Sequence, residues 1–400
     1  MNPSAPGWIL KHKPLITKWL LANQPGADDF YTQLVKTGFI YGVSVSTCVY
    51  KNHEPLKWDE TERAKINLFD ALFFTYHSKY NNTNLFFKEV NTFYTLLNSQ
   101  EKSYFSGFIK AKQTAADLEK IIQNRLQTNE ALLQRNFSNL ITNALLFLDV
   151  VVFEWYLDHK TEDVKAYAAQ FEALLMQLIW MALNQKQQKD NYDKLLLKLF
   201  EKSLRYNSNL DKTITDLDKL ELTPYTTLFA RRYILDLAAL AVWDDLKMDS
   251  NELEFLEELG SKLNFETQVT QNAISCVQEF IVSNRNEISY LNYSNPVKHF
   301  YNQTSKTVRT LIIRNKKRLL LELSGSKDLV ILLGYSTVRD LSKAEKKRVK
   351  TQLLDICKSV PSLAIFMLPG GGVLLPLLIK FIPELLPSAF NENRTEEEDI

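Results

Sequence analysis

Histidine and cysteine are the residues of this sequence best suited to ligate a metal ion or act as a nucleophile, and both are scattered along the chain. The sequence contains His12, His53, His77, His159 and His299, with Cys48, Cys276 and Cys357. No HxxxH, HExxH or CxxC spacing joins any of them, so local sequence assembles no zinc, iron–sulfur or thiol–imidazole site. We therefore predict no catalytic residue, no metal and no cofactor, and the isolated cysteines favour a reducing compartment.

The glycines form no recognisable nucleotide-binding loop. Gly370, Gly371 and Gly372 are adjacent, but apolar residues follow them where a phosphate-binding loop has Lys and Ser or Thr. The sequence also lacks a GxSxG nucleophile elbow and a dinucleotide-binding fingerprint. The chain is accordingly predicted not to be an enzyme.

One acidic turn has residue types that could bind a cation. Asp245 lies between two predicted helices, and Glu252 lies in the first turn of the second. That helix is expected to begin at Asp249 or Ser250 and to have Gly260 as the C′ residue that ends it. This helix, acidic turn and helix resemble the TerB-like module of tellurite-resistance proteins, and the resemblance implies a metal-binding role for Asp245 and Glu252. The alternative is that the carboxylates cap a helix N-terminus and stay solvated.

Basic residues concentrate in one part of the chain. Residues 296–358 contain 15 Lys or Arg and 5 Asp or Glu, a net charge of +10, whereas the whole chain has a net charge of +1. The basic patch that we single out comprises Arg314, Lys316, Lys317, Arg318, Lys346, Lys347, Arg348 and Lys350. We interpret it either as a solvated helix face or as a surface for an acidic partner such as ribosomal RNA, with no role in binding DNA.

An apolar segment follows the basic helices. A capping box formed by Ser342 and Glu345 predicts where the last basic helix begins, and Pro361 predicts that it ends or bends at Val360. Residues 359–379 are then uncharged, and about 20 apolar residues suffice to cross a bilayer.

Proline and glycine interrupt this candidate membrane segment, which we place at residues 359–387. Its breakpoints are Pro361, Pro369, Gly370, Gly371, Gly372, Pro376, Pro383 and Pro387. Because hydrocarbon cannot satisfy the backbone groups that such breaks release, we expect two half-helices, a helical hairpin or a segment packed on other helices.

The C-terminal part of the sequence resembles the LETM family, the leucine-zipper and EF-hand-containing transmembrane proteins of the mitochondrial inner membrane. The resemblance lies in LSKAEKKRVK at 341–350, Val360-Pro361, Pro376 and LLIKFIPELLPSAF at 377–390. A helical body, a TerB-like module and this ending together resemble bacterial LETM-related, biofilm-associated proteins. The resemblance implies a role in cation/proton homeostasis or membrane organisation.

Two functions are compatible with these patterns. In the first, segment 359–387 contacts membrane lipid at a bacterial inner membrane and most of the chain is cytoplasmic, because basic residues precede the segment as the positive-inside rule expects. Ion exchange would then require a homo-oligomer or a protein partner, since one segment cannot form an alternating-access transporter. The alternative is a soluble, cytoplasmic helical module that binds a ribosome, RNA or a protein through its basic helices.

The scaffold that must position these groups is predicted to be all-α. The chain has 11 glycines in 400 residues, none between Gly107 and Gly260, and no proline between Pro55 and Pro224. Sheets need Gly and Pro in their many turns, whereas both residues destabilise a helix interior, by about 1 kcal/mol for Gly and about 3 for Pro. The pattern predicts multi-helix bundles with a Pro/Gly-broken apolar C-terminal segment.

Changes in polarity along the chain predict its domain organisation. An apolar run at 143–157 contains Asp149 and Glu154, which are costly in a bilayer, so we predict a buried bundle helix there. The predicted units are an N-terminal helical domain at 1–222, the TerB-like module at 223–295, the basic helices with the apolar segment at 296–390, and an acidic disordered tail at 391–400.

Overall fold

The computed structural model describes residues 1–50, 58–80, 82–97, 114–130, 144, 146–207, 214–242, 248–284, 296–360, 363 and 371–385. Within these ranges the regular structure is helical, which confirms the all-α prediction. The α-helices are α1 Trp8–Asn23, α2 Ala27–Thr37, α3 Glu60–Lys79, α4 Phe86–Leu97, α5 Ala115–Glu130, α6 Leu146–Asp158, α7 Val164–Gln185, α8 Asn191–Asn207, α9 Leu228–Val242, α10 Ser250–Lys262, α11 Thr267–Asn284, α12 Pro296–Arg314, α13 Lys316–Ser324, α14 Lys327–Val338, α15 Lys343–Ser359 and α16 Gly371–Phe381. Short 3₁₀ turns are η1 Phe39–Tyr41, η2 Leu217–Lys219 and η3 Ile382–Leu385.

Side-chain caps determine where several helices begin. Asp59 accepts a hydrogen bond from the Glu62 backbone N–H at 2.8 Å, and the Glu62 carboxylate accepts one from the Asp59 N–H at 3.1 Å. The same reciprocal capping box opens α10 and α15. Each N-cap contributes about 1 kcal/mol by satisfying N–H groups that have no partner within the helix.

The most apolar part of the N-terminal half forms its core. Helix α6 contacts α3, α4, α7 and α9, and residues 146–153 are all buried. The prediction of a buried bundle helix at this run is therefore confirmed. The helix has apolar side chains all round because protein surrounds it on every side.

The buried Asp149 of α6 is paired. Arg125 Nη2 of α5 donates to Asp149 Oδ1 at 2.8 Å, and the Tyr94 hydroxyl of α4 donates to Oδ2 at 3.0 Å. Burial raises the pKa of Asp149, while Arg125 and Tyr94 oppose this rise by stabilising the carboxylate. The ion pair and the tyrosine hydrogen bond together connect α4, α5 and α6.

Another buried carboxyl group, Asp236 of α9, has weaker compensation. It lies fully buried where α9 contacts α2, η1 and α11. Arg232, one turn earlier, directs its Nη1 to Asp28 at 2.5 Å. Burial raises the pKa of Asp236 to about 6, and the positive charge of Arg232 limits the rise. Asp236 therefore keeps its proton to a higher pH than an ordinary aspartate does.

Gly260 does not end α10, and the sequence-based expectation is wrong at this point. The helix continues to Lys262, so Gly260 lies inside it. A Cβ atom at Gly260 would overlap the Thr270 hydroxyl of α11, which crosses α10 closely there. The turn after α10 instead uses Asn264, whose φ of 55° lies in the left-handed region.

The C-terminal helices pack around α8. Helix α16 lies against α8 and α12, and both α12 and α15 also contact α8. Helices α13, α14 and α15 contact one another, and α14 also contacts α16 and η3. Meanwhile α9 and α10 pack directly on α7, and α9 and α11 on α2. The domain boundaries given above remain predictions.

We expect Asp236→Asn to change how stability depends on pH. The folded state binds the Asp236 proton more tightly than the unfolded state does. Stability therefore falls as the pH rises from the ordinary aspartate pKa through about 6, where the folded protein loses this proton. Between pH 5 and pH 7 the unfolding free energy of the native sequence should fall by about 1 kcal/mol more than that of the variant. Urea denaturation at both pH values measures this difference. The exposed Asp328→Asn is the matched control, and parallel pH dependence of the native chain and Asp236→Asn would contradict the expectation.

Candidate functional site

The basic patch lies on the outside of the C-terminal helices. Arg314 ends α12, and Lys316, Lys317 and Arg318 open α13, all of them exposed. Helix α13 contacts α15, which carries further basic residues, including the exposed Lys347 and Arg348. The structure thus brings together two basic helices that are about 30 positions apart in sequence.

Two lysines of the patch are less accessible. Lys346 and Lys350 are half-buried. Burial lowers the pKa of Lys350, and the nearby carboxylate of Glu172 in α7 opposes this shift. Lys350 therefore faces the body of the protein and contributes less to the outer surface than the sequence suggested.

A fixed ion pair precedes α15. The Arg339 guanidinium donates to both carboxylate oxygens of Glu345, at 3.0 and 2.7 Å, and the Ser342 N–H donates to Glu345 at 2.7 Å. The hydrogen bonds from Arg339 and Ser342 lower the pKa of Glu345 to about 2. The predicted start at Ser342 is confirmed, as is the predicted end at Val360, since α15 stops at Ser359.

Helix α14 exposes apolar side chains beside this basic surface. Ile331, Tyr335 and Val338 lie at i, i+4 and i+7 and have exposed fractions of 51, 47 and 80 %. Residues at this spacing share one face of a helix. On α13, Leu321 is 73 % exposed. We use the name C-terminal surface for these four residues together with the exposed basic residues of α13 and α15.

The sequence analysis missed this apolar stripe. Helix α14 also carries buried apolar residues, Leu329, Val330, Leu332 and Leu333. Because both faces are apolar, periodicity in the sequence gave no indication of which face is buried. The spacing of Ile331, Tyr335 and Val338, together with the adjacent Arg339, is the sequence feature that could have indicated an exposed apolar face.

The described part of the candidate membrane segment is packed on the same chain. Leu375, Pro376, Leu377, Leu378, Ile379 and Ile382 are buried, against α8 and α12. Of the three forms that the sequence allowed, these residues adopt the segment packed on other helices. Gly371 and Gly372 open α16, and Pro383 is half-buried in η3. Pro361, Pro369, Gly370 and Pro387 lie outside the described residues.

Across the described ranges, one helix is long and apolar enough to cross a membrane, and it is not α16. It is α7, of which 61 % of the most apolar 18-residue window is buried in the protein. The core helix of a globular bundle has the same length and composition, so hydropathy alone does not assign α7 to a membrane.

The acidic turn is described only in part. Asp245 lies outside the described residues, whereas Glu252 is 4 % exposed and accepts a hydrogen bond from the Asp249 N–H at 2.8 Å. Asp249 in turn caps α10 at Glu252 N, 3.0 Å away. Glu252 thus takes part in a capping box, as in the capping alternative, but it is buried and not solvated. Groups of three or more His, Cys, Asp or Glu suited to a metal ion do not occur among the residues that the structure describes.

One of the scattered histidines has a defined structural partner. His12 Nε2 of α1 lies 2.5 Å from Asp70 Oδ1 of α3, and both side chains are fully buried. The Tyr50 hydroxyl is 3.5 Å from His12 Nδ1. Burial raises the pKa of Asp70, while His12 opposes the rise. The pair joins α1 to α3 within the core.

A cleft of about 410 Å³ opens between η2 and the turn after α10. Its cationic groups already have protein partners. Arg231 donates to the Leu263 carbonyl at 3.0 Å and lies 5.0 Å from the Phe265 ring centre. Lys262 is paired with Asp218. The described walls therefore mix both charge signs and present no single recognisable ligand chemistry.

Comparison with known proteins relates the end of the chain to one family. Residues 341–400 match the family model described as LETM1-like, RBD. Neither a curated protein nor a solved structure matches the chain. The match begins at the residue before the Ser342 cap and includes α15 and α16, so the LETM resemblance is supported over the last 60 residues. The TerB-like and biofilm-associated resemblances rest on sequence pattern alone.

We predict that Leu378→Ala lowers the free energy of unfolding by about 2 to 5 kcal/mol, because Leu378 is fully buried and truncation leaves a cavity. Leu321→Ala, at an exposed position, is the matched control and should change it by less than about 0.5 kcal/mol. Urea denaturation of the full chain measures both. Equal effects of the two substitutions would mean that α16 is not part of the folded core.

Proposed function

We propose that this chain is a non-enzymatic, membrane-associated LETM-like protein whose C-terminal helices attach a cytoplasmic helical body to the bacterial inner membrane. The observation that carries the proposal is the group of exposed Lys and Arg side chains on α13 and α15, within a segment of net charge +10. Anionic lipids attract such clusters by about 1 kcal/mol per basic residue near the surface. The LETM1-like match at 341–400 includes one of the two helices.

Attachment at the surface fits the packing of α16 better than insertion does. Transfer of α16 to lipid would keep its own apolar side chains away from water. It would, however, expose the apolar sides of α8 and α12 that α16 now covers. Each large apolar side chain returned to water costs about 1.5 to 3 kcal/mol, which is considerable beside a usual total stability of about 5 to 15 kcal/mol.

Membrane organisation is the role that we propose for the attached body. An exchanger with alternating access uses several spanning elements around a central site. The described helices include one of sufficient length, α7, and most of it is core. A contribution to cation/proton homeostasis, in a biofilm or elsewhere, would then act through a homo-oligomer or a protein partner.

A second candidate function is ribosome or RNA binding by a soluble form of the same surface. The same exposed Lys and Arg side chains could contact phosphates, and the matched family model includes RBD in its description. Binding to nucleic acid by such contacts weakens steeply with salt. The acidic partner, lipid or RNA, is thus the difference between the two candidates.

Flotation of the purified full chain with vesicles tests the proposal. We expect binding to vesicles that contain phosphatidylglycerol, little binding to pure phosphatidylcholine, and release at high salt because salt screens exposed charges. Lys317→Gln/Arg318→Gln/Lys347→Gln should weaken binding roughly 100-fold, at about 1 kcal/mol per charge. The matched control Lys11→Gln/Lys18→Gln/Lys36→Gln removes the same charge from exposed positions elsewhere and should bind as the native chain does.

Two results would contradict the proposal. One is absence of flotation with anionic vesicles at low salt. The other is equal weakening by the two triple variants, which would mean that net charge rather than the C-terminal surface governs binding. RNA binding with a steep salt dependence, in the absence of vesicle binding, would favour the second candidate.

A further inference from the structure

Helix α14 is apolar on two opposite sides. Leu329 and Leu333 point into the protein and are fully buried, whereas Ile331, Tyr335 and Val338 point outward. A single exposed apolar residue is ordinary on a protein surface. Three of them, one above another, form a stripe about 10 Å long at 1.5 Å per residue. Three exposed apolar side chains on one helix face favour a contact with an apolar partner.

Basic groups border the stripe. The Arg339 guanidinium lies over the Tyr335 ring at 4.9 Å, at one end of the helix. At the other end Lys327 is exposed, and Arg348 of α15 approaches Asp328 at 3.6 Å. Arg339 is paired with Glu345 and Arg348 with Asp328, so the net positive charge near the strip comes from Lys327 and from the exposed basic residues of α13 and α15. An apolar strip bordered by basic residues is the pattern of helices that lie in the plane of a membrane interface.

Charge argues against a second copy of the chain as the occupant of this face. Two identical surfaces, each within a segment of net charge +10, would repel each other on approach. An RNA would satisfy the cations but would leave Ile331 and Val338 unused. Its bases would also find one exposed aromatic ring on the stripe, Tyr335, whereas single-strand binding surfaces stack successive bases on several rings.

A membrane interface complements both the basic and the apolar side chains of the C-terminal surface. Anionic headgroups complement Lys and Arg, and the boundary of the acyl chains accommodates Ile and Val side chains. Tyrosine favours this depth because its ring is apolar and its hydroxyl is polar. We propose that α14 is an interfacial helix, with Ile331, Tyr335 and Val338 buried in the headgroup region of an anionic lipid surface.

This inference rests on the proposed membrane association and names the element that makes the contact. Apolar helices at the interface lie about 5 to 10 Å into the headgroup and acyl boundary. The three outward side chains of α14 can reach this depth while their buried neighbours stay in the bundle. Helix α16 then remains between α8 and α12, so the contact requires no unfolding of the C-terminal helices.

The double variant Ile331→Ser/Val338→Ser tests the inference in the full chain. Both positions are exposed, so the fold should persist, which circular dichroism verifies. We expect the partition coefficient onto phosphatidylcholine–phosphatidylglycerol vesicles to fall roughly 10- to 100-fold, because less apolar area enters the interface. The matched control Leu21→Ser/Val282→Ser alters positions of α1 and α11 that are 65 and 62 % exposed, and it should bind as the native chain does.

A substitution that adds an aromatic side chain to the stripe provides an independent test. Val338→Trp should strengthen vesicle binding severalfold, since Trp is favoured at membrane interfaces. Val282→Trp should leave it unchanged. If the native chain binds vesicles and neither the Ser double variant nor Val338→Trp alters binding, the role of α14 is refuted while the proposed membrane association stands. If the native chain binds no vesicles, both proposals fail, and RNA binding that Lys317→Gln/Arg318→Gln/Lys347→Gln weakens would assign the basic residues of the surface to nucleic acid.

Discussion

The burial of α16 against α8 and α12 is the contact on which the arrangement of the C-terminal half depends. It places a proline-containing apolar helix in the interior and joins the last part of the chain to α8, which also contacts α7 of the main body. With α16 inside, helices α13, α14 and α15 form the outer layer. Helix α14, which carries the apolar stripe, contacts α16 and η3.

Buried polar pairs give the apolar interior of this bundle its specific connections. Helix α6 is apolar all round, so hydrophobic burial alone would tolerate several rotations about its axis. The Asp149–Arg125 pair removes that freedom, because any rotation that separated the two groups would leave a charge unpaired in the core. His12 and Asp70 fix α1 on α3 in the same way.

Local signals in the sequence predicted helix type and helix ends, and they failed where distant contacts decide. The scarcity of Gly and Pro predicted the all-α class, and Ser342 with Glu345 predicted the start of α15. Both predictions succeeded because helix formation and helix capping depend on neighbouring residues. Gly260 was misassigned since the feature that demands glycine there, the Thr270 side chain, belongs to another helix. The inward face of α14 escaped prediction for the same reason, and for α16 the sequence allowed three forms without choosing the packed one, because the helices that cover these residues lie elsewhere in the sequence.

Hydropathy reports how much apolar surface a helix has, but what lies opposite decides whether that surface meets protein or lipid. For α7 and α16 the opposite surfaces are other helices of the chain. For the outward face of α14 the chain supplies no such cover in the part that the structure describes, and cations border it instead. The membrane association that we propose therefore needs no spanning segment, because exposed apolar and basic side chains of the folded surface would make the contact.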